Sequence, residues 1–236
     1  MPEDILPSSL GLRDIALLEG LAPERLAALA RECAWRNYAA EQRIISRDAG
    51  DRDLYLIVSG RVRVTTYSAA GRQVTFRDFG RGEHFGEVAA IDGKPRSSDV
   101  VALESTLLAS LSRGPFGRLL QEEPAVAERL LRDLAALVRR LSERVLDLST
   151  LGVHQRLYAE VLRLAREAGV TGNRARIEPA PKHADLASQV STYREQVTRE
   201  LSVLAKTGVL AKDGRALVVL DVARLEKLVK EVKSGA

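Results

Sequence analysis

Asp53-Leu-Tyr-Leu-Ile-Val-Ser-Gly60-Arg-Val-Arg-Val64 consists of two short β-rich runs that meet at a glycine. Runs of the same kind continue from Arg43 to Ser112, and 7 of the 17 glycines lie between residues 50 and 93. Short strands separated by glycines, which tolerate positive φ, are typical of antiparallel β-structure. This part of the 236-residue chain is therefore predicted to form an antiparallel barrel or a double-sheet β-roll.

Helical patterns lie on both sides of the β-rich region. Up to about residue 37, apolar residues recur every three or four positions, which predicts short helices. After Pro124, one long helix is predicted to run to about Ser149. A helix with two apolar sides can pack on its own domain and on a second copy, so we expect a homodimer. The main stripe comprises Leu130, Leu134, Leu137, Leu141, Val145 and Leu148, and the second side Leu131 and Val138.

The composition changes after Thr150-Leu-Gly152, which is the predicted hinge. Residues 182–205 then have the apolar spacing of two short helices broken at Ser191-Thr192. A hairpin turn at Asp213-Gly214 and a final helix capped by Asp221 follow. We therefore predict an α+β protein with three segments. These are a β-roll domain over 1–124, a dimerisation helix and hinge over 125–151, and a winged helix-turn-helix domain over 152–236.

The second short helix is predicted to begin near Thr192, because Thr192 and Glu195 have the separation of a capping box. Its first turns expose four polar side chains, those of Tyr193, Arg194, Glu195 and Arg199. Arginine can bind guanine through two hydrogen bonds and glutamate can accept one from cytosine, so these residues are candidates for DNA binding. The alternative is that Glu195 only caps the helix and that the arginines are solvated surface charges.

Composition limits the class of protein. With 45% hydrophobic and 29% charged residues, the chain is not expected to be disordered. It has neither a signal peptide nor a long apolar run, so we expect a soluble cytoplasmic protein without a membrane partner. The chain has one cysteine, Cys33, and three histidines that lie far apart in the sequence, so we predict no metal site. Residues 153–236 carry 15 Lys and Arg against 10 Asp and Glu, a modest basic surplus that suits a polyanion.

A second informative motif is Phe85-Gly-Glu-Val-Ala-Ala-Ile-Asp-Gly-Lys-Pro-Arg-Ser-Ser98. Gly86 and Glu87 begin a short helical turn, and the pair Arg96-Ser97 follows nine residues later. Backbone N–H groups at a helix start favour a phosphate, especially beside an arginine, and a carboxylate there can accept from a sugar hydroxyl. The local alternative makes Gly86 a turn glycine, Glu87 a helix cap and Arg96 their salt-bridge partner.

Three signatures occur together in one order: Asp53–Val64, then Phe85-Gly-Glu87 with Arg96-Ser97, then the long helix followed by Arg194-Glu195 and Arg199. In that order they resemble the cyclic-AMP receptor protein and FNR superfamily of bacterial transcription regulators, over nearly the whole chain. The resemblance implies a roll that binds cAMP or cGMP, a long helix that forms a homodimer, and a C-terminal domain that binds two-fold symmetric DNA. RNA polymerase is the further partner it implies.

The resemblance also assigns roles in the nucleotide site. Glu87 corresponds to the acceptor for the ribose 2′-hydroxyl, and Arg96 with Ser97 corresponds to the group that binds the cyclic phosphate. The backbone of Gly86 and Val88 lines the same cradle. The spacing from Glu87 to Arg96 differs by one residue from that of the founding member.

On the long helix, Leu141-Ser142-Glu-Arg-Val145 is similar to the family's Thr-Ser-Glu-Lys-Val, whose threonine and serine meet the purine, the serine from the partner subunit. Ser142 is kept, but Leu141 removes one hydrogen bond to the base, so selectivity between cAMP and cGMP is left open. Arg194, Glu195 and Arg199 match the base-contacting positions, which implies half-sites resembling TGTGA.

Several alternatives stay open from the sequence. The chain could be an effector-independent regulator of the same family, or a haem or redox sensor, although only Cys33 and His84 are at hand as ligands. The helix-turn-helix pattern disfavours a regulatory module of an enzyme or channel. An enzyme is not expected, because no set of nucleophile, base and orienting group accompanies His84 and Glu87. Trp35, Tyr55, Phe76 and Phe85 are interpreted as core residues.

Overall fold

The computed structural model of the chain describes residues 9–68 and 73–230. The chain divides into two compact units, Met1–Leu137 and Val138–Ala236. Helices and antiparallel sheets are both present, and the predicted α+β class is confirmed. The division between the units falls inside the long helix, and the limits predicted for the three segments stay a prediction.

The helices and strands of the described residues follow in chain order. The helices are α1 (Ser9–Leu12), α2 (Pro23–Glu32), α3 (Glu87–Asp92), α4 (Arg113–Glu122), α5 (Pro124–Thr150), α6 (Val153–Ala168), α7 (His183–Gln189), α8 (Arg194–Lys206) and α9 (Val222–Lys230), with a 3-10 turn at Ala16–Leu18. The strands are β1 (Ala34–Tyr38), β2 (Arg43–Ile45), β3 (Leu54–Ser59), β4 (Arg61–Tyr67), β5 (Gln73–Gly80), β6 (His84–Phe85), β7 (Asp99–Ala102), β8 (Thr106–Leu111), β9 (Val170–Thr171), β10 (Arg174–Ile177), β11 (Leu210–Asp213) and β12 (Ala216–Val219).

The first unit contains the predicted double-sheet roll. One sheet has the strand order β1-β8-β3-β6 and the other β2-β7-β4-β5, and all pairs are antiparallel. Buried residues of both sheets form a shared core, which includes Ile57 of β3, Val62 of β4 and Leu108 of β8. This core lies between the sheets.

Strand β3 is buried on both faces, which explains its continuous apolar sequence. Tyr55 and Ile57 belong to the core between the sheets. Leu54 and Leu56 belong to a second core with α2, α4 and the start of α5. Since successive side chains of a strand point to opposite faces, a strand covered on both sides requires apolar residues at every position.

The turn from β3 to β4 depends on Gly60. Its φ is 87°, and a Cβ at this position would lie 2.5 Å from the Ser105 carbonyl oxygen. Any side chain would therefore clash with the backbone, in a conformation that L-residues rarely adopt. Gly60 thus permits the tight connection between β3 of one sheet and β4 of the other.

The second unit packs α6, α7, α8 and α9 against the sheet β11-β12-β10-β9. Its core is formed by fully buried residues such as Val161 of α6, Leu186 of α7 and Val197 of α8. The predicted hairpin at Asp213-Gly214 is confirmed by the pairing of β11 with β12. The predicted cap is also confirmed, since Asp221 accepts a hydrogen bond from the Arg224 N–H at 2.9 Å.

Two sequence predictions about the fold are wrong in detail, and one strand is missing from the predicted elements. The N-terminal helical region ends at Glu32, because the chain enters β1 at Ala34 and pairs with β8. Strand β10 was not predicted, since Arg174–Ile177 is charged at alternate positions and too short to show a clear pattern. Phe76 is 42% exposed and does not belong to the core, whereas Tyr55 and Phe85 are buried.

Helix α5 spans Pro124–Thr150, and the predicted long helix is confirmed. Val126 and Leu130 at its start are buried in the core of the first unit. Further along, large apolar side chains are exposed, namely Leu131, Val138, Leu141, Val145, Leu146 and Leu148. None of the helices in the described residues is long and apolar enough to span a bilayer.

Candidate functional site

The phosphate cradle predicted at Phe85–Ser98 is built around Gly86, which immediately precedes α3. Gly86 has φ 85°, and a Cβ there would lie 2.7 Å from Nη1 of Arg96 and 2.9 Å from the Asp53 carbonyl oxygen. Only glycine permits this approach of the arginine to the backbone. The predicted helical turn that begins at Gly86-Glu87 is confirmed as α3.

Arg96 is 3% exposed and is held by backbone and carboxylate acceptors. Nη1 donates to the Gly86 carbonyl oxygen at 2.9 Å, and Nη2 donates to that of Asp53 at 2.8 Å. Nε and Nη2 both donate to Oδ2 of Asp51, at 3.2 and 2.5 Å. These bonds use four of the five N–H groups of the guanidinium and fix its plane.

Asp51 and Tyr55 complete the wall around Arg96. The Tyr55 hydroxyl donates to Oδ2 of Asp51 at 3.3 Å, and its ring stacks on Phe85 with centroids 5.0 Å apart. Burial alone would raise the pKa of Asp51, but the hydrogen bonds and charge of Arg96 outweigh burial, and the pKa is lowered. Burial and the Asp51 charge raise the pKa of Tyr55. Asp51 is thus ionised and Tyr55 neutral near neutral pH.

The structure contradicts the local alternative, in which Arg96 pairs with Glu87. The carboxylate that forms the ion pair with Arg96 is that of Asp51. Glu87 is half-buried in the first turn of α3, and Val88 is exposed on the same helix. Ser97 follows Arg96 and is exposed. The structure therefore joins Gly86 and Arg96 directly and places Glu87 and Val88 beside them in the chain.

Leu141 and Ser142 lie on α5, in the second unit. Both are exposed, and the Ser142 hydroxyl donates to the carbonyl oxygen of Val138 at 3.0 Å. A serine that back-bonds to its own helix can exchange this bond for one to a ligand. Their assignment to the nucleotide base stays a prediction.

The predicted break at Ser191-Thr192 is confirmed by the turn between α7 and α8. The predicted capping box is wrong. Tyr193 is the N-cap of α8 without a side-chain cap bond, and Thr192 is buried. The reason is that the turn folds inward at Thr192, whose N–H donates to the Ala187 carbonyl oxygen at 2.9 Å.

Helix α8 presents the four candidate DNA-binding residues at its N-terminal end. Tyr193 is 66% exposed, and Arg194, Glu195 and Arg199 are also exposed. The opposite face carries buried Val197, Leu201 and Leu204. Nη2 of Arg199 donates to the Gln196 side-chain oxygen at 2.7 Å. The exposed face of α8 thus presents two arginines and a glutamate to solvent, as a recognition helix would to DNA.

Two arginines that the sequence analysis did not single out bind the turn between α7 and α8. Arg144 of α5 donates to the Gln189 carbonyl oxygen, and Arg156 of α6 donates to that of Val190. Every residue has a backbone carbonyl, so no sequence pattern marks one as an acceptor. Each arginine is also far from its acceptor in the sequence, by 45 residues for Arg144 and 34 for Arg156. Only the folded chain could reveal these contacts.

The described residues contain no group of three or more His, Cys, Asp or Glu side chains that could hold a metal ion. Cys33 is buried, and burial together with the nearby Glu32 raises the pKa of its thiol to about 12. The thiol is therefore protonated at neutral pH. A protonated buried thiol is a poor nucleophile and a poor metal ligand.

Comparison with known proteins identifies the family of the chain. Residues 35–123 match the family model described as cyclic nucleotide-binding domain, and residues 155–228 match the Crp-like helix-turn-helix domain. The chain is 33% identical over 215 residues to the cyclic AMP receptor protein of Thermus thermophilus, covering 90% of this chain and 95% of that one. It is 27% identical over 213 residues to the CRP-like cAMP-activated global transcriptional regulator of Mycobacterium tuberculosis, covering 89% and 95%.

A solved structure, a CooA mutant from Carboxydothermus hydrogenoformans, has a TM-score of 0.77 at 19% identity, covering 92% of this chain and 95% of that one. At that identity the likeness concerns the fold alone. The two domain matches contain the cradle of Gly86 and Arg96 and the turn between α7 and α8. With both domains in one order and 33% identity over most of both chains, the predicted resemblance is confirmed. The chain therefore belongs to the CRP/FNR superfamily of transcription regulators.

Proposed function

We propose that the chain is a homodimeric regulator that binds cAMP in its β-roll, with cGMP as the second candidate, and that the liganded dimer binds two-fold symmetric operator DNA. The observation that carries the proposal is the buried Arg96, held in one plane beside the backbone of Gly86. A buried guanidinium with an N–H group still available suits a single anionic group such as a cyclic phosphate.

In this proposal the cyclic phosphate binds Arg96, Ser97 and the backbone N–H groups that follow Gly86. Glu87 accepts a hydrogen bond from the ribose 2′-hydroxyl. The names of the T. thermophilus and M. tuberculosis relatives, which refer to cAMP, support a nucleotide of this class.

The purine is proposed to meet Leu141 and Ser142 of α5. Ser142 offers a hydroxyl that can donate or accept, whereas Leu141 offers only apolar contact. A site with one polar contact discriminates less strongly between adenine and guanine than a site with two. We therefore expect the ratio of the cAMP and cGMP affinities to be set mainly by Ser142.

The dimer is proposed to form along α5. The exposed apolar side chains of that helix cover two sides, and a second copy of the same helix would remove them from water. A two-fold dimer presents two copies of α8 to half-sites about 10 base pairs apart, with the TGTGA-like sequence that the family resemblance implies.

On the DNA, Arg194, Glu195 and Arg199 are proposed to contact base edges, and Tyr193 the adjacent backbone. Lys212 and Arg215 are exposed on the hairpin of β11 and β12 and would bind phosphates. We further propose that the protein acts in the cytoplasm with RNA polymerase, and that it has no enzymatic activity.

The test of the nucleotide site is calorimetric titration of the protein with cAMP and cGMP, using Arg96→Ala and the control Arg43→Ala. Arg43 is exposed on β2, so its variant removes the same charge from the same unit. Loss of binding by at least about 100-fold is expected for Arg96→Ala, since a charge-assisted pair to phosphate is removed. Equal affinities of the two variants would contradict the assignment. Absence of heat with either nucleotide in the wild type would favour an effector-independent or differently sensing regulator.

A further inference from the structure

The turn between α7 and α8 is bound by donors that come from outside the two helices. Nη2 of Arg144 donates to the Gln189 carbonyl oxygen at 2.7 Å and lies 3.4 Å from the Ser191 hydroxyl. Nε of Arg156 donates to the Val190 carbonyl oxygen at 3.0 Å. Two consecutive carbonyls at the end of α7 thus each receive a cationic donor. A helix C-terminus favours such donors because its last carbonyls lack partners within the helix.

The conformation of this turn needs outside support. Ser191 has φ 56°, a left-handed conformation that is unfavourable for a residue with a side chain. Helix α8 begins at Arg194, three residues after Ser191. A donor that holds residues 189–191 in place therefore also sets the position of the first turn of α8, which carries the candidate DNA contacts.

Arg144 is integrated into the second unit rather than solvated. Between residues 141 and 150 of α5, Arg144 and Asp147 are the two that are not exposed. Burial lowers the pKa of Arg144, the Glu160 charge opposes that effect, and Arg156 adds to it. Nη1 of Arg156 also donates to the Leu151 carbonyl oxygen at 2.7 Å, in the link between α5 and α6. Both arginines therefore connect the end of α5 and the link after it with the same turn.

We propose that Arg144 is a positioning residue that couples the nucleotide-contacting segment of α5 to the DNA-contacting helix α8. Ser142 lies two residues earlier on the same helix, so a rotation or shift of α5 at Ser142 displaces Arg144 as well. Because the Arg144 guanidinium is hydrogen-bonded to the turn, the displacement reaches residues 189–191 and then α8. The coupling rests on the proposed function; the position of the turn depends on Arg144 whether or not a nucleotide binds.

The variants are Arg144→Ala and the control Arg140→Ala, one helical turn earlier and exposed, which removes the same charge from the same helix. The affinity for an operator duplex is measured with and without saturating cAMP. For Arg144→Ala we expect cAMP affinity within about twofold of the wild type, but a cAMP-induced gain in DNA affinity that is at least about threefold smaller, closer to the value of one that means no coupling between the sites. Arg140→Ala should keep the full gain.

Arg144→Lys is the conservative variant. Lysine can donate to the Gln189 carbonyl oxygen without reproducing the planar fork, so an intermediate gain is expected. If Arg144→Ala does not fold, the same measurement on Arg144→Lys tests the proposal. A purely structural role would weaken DNA binding equally with and without cAMP and leave the gain unchanged, and that result would overturn the coupling.

Hydrogen exchange of the amides of residues 187–195, without nucleotide, tests the positioning separately. Faster exchange is expected in Arg144→Ala than in Arg140→Ala, because the turn loses a donor to its carbonyl. Equal exchange in the two variants would overturn the inference. A wild type whose DNA affinity does not respond to cAMP would instead contradict the proposed function, and the exchange measurement would still decide whether Arg144 positions the turn.

Discussion

At the scale of single residues, the proposed nucleotide binding depends on Arg96. A buried guanidinium is costly unless its charge and its N–H groups are compensated. Asp51 supplies the charge, and the carbonyls of Gly86 and Asp53 supply acceptors. The side chain is therefore oriented before a ligand arrives, and little rotamer entropy is lost on binding.

Asp51→Asn tests this pre-organisation. The amide replaces a charge-assisted acceptor by a neutral one, so Arg96 is held less firmly and cAMP affinity should fall roughly 3- to 10-fold. The Asp51 carboxylate also repels a phosphate, but its side chain is 39% exposed and the repulsion is screened. Titration calorimetry compares the variant with Asp53→Asn, which removes the same charge and keeps the backbone acceptor of Arg96. Tighter binding by Asp51→Asn would show that Asp51 competes with the ligand.

At the scale of elements, the environment of α5 changes from buried to exposed along the helix. Its start is buried by the first unit, whereas Val138, Val145 and Leu148 are exposed. Exposed apolar residues along two sides of one helix are costly in water and are typical of a helix that pairs with another. A second copy of α5 is the partner that the family fold and the stripe both favour.

Val145→Glu tests the helix pair. Val145 is 65% exposed, and two-fold symmetry would place both copies of the glutamate in the same apolar seam, where burial of the charge is unfavourable by several kcal/mol. We expect sedimentation velocity to show a monomer for this variant and a dimer for the wild type. Val203→Glu, on an exposed apolar residue of α8, should remain dimeric. A dimer in both variants would place the interface elsewhere.

The elements differ in how well the sequence predicts them. Strand β3, α5 and the break between α7 and α8 have periodic apolar residues or strong turn residues, and such local signals identify them. The start of β1 and strand β10 lack such signals because their formation depends on pairing with distant strands. The contacts of Arg96 with Asp51 and of Arg144 with Gln189 each join residues 45 apart. Sequence identified Arg96 through the motif around it, and no local pattern marks Asp51 or Arg144.

At the scale of the whole molecule, a nucleotide-binding domain and a DNA-binding domain occur in one chain with a continuous helix from one to the other. A ligand can favour DNA binding only if its affinity differs between the DNA-binding state and the other state. If the nucleotide raises the affinity for DNA, then DNA must raise the affinity for the nucleotide by the same factor. Phosphate contacts by the basic C-terminal part should also make DNA affinity fall as salt rises.

The most direct test measures the affinity of the wild-type protein for a symmetric duplex with two TGTGA half-sites, by fluorescence anisotropy at fixed salt, over a series of cAMP concentrations. We predict that saturating cAMP strengthens binding about 5- to 150-fold, within the usual range of coupling between sites, and that a scrambled duplex shows no such gain. Identical binding curves with and without cAMP, on a duplex that the protein binds specifically, would contradict nucleotide-controlled DNA binding.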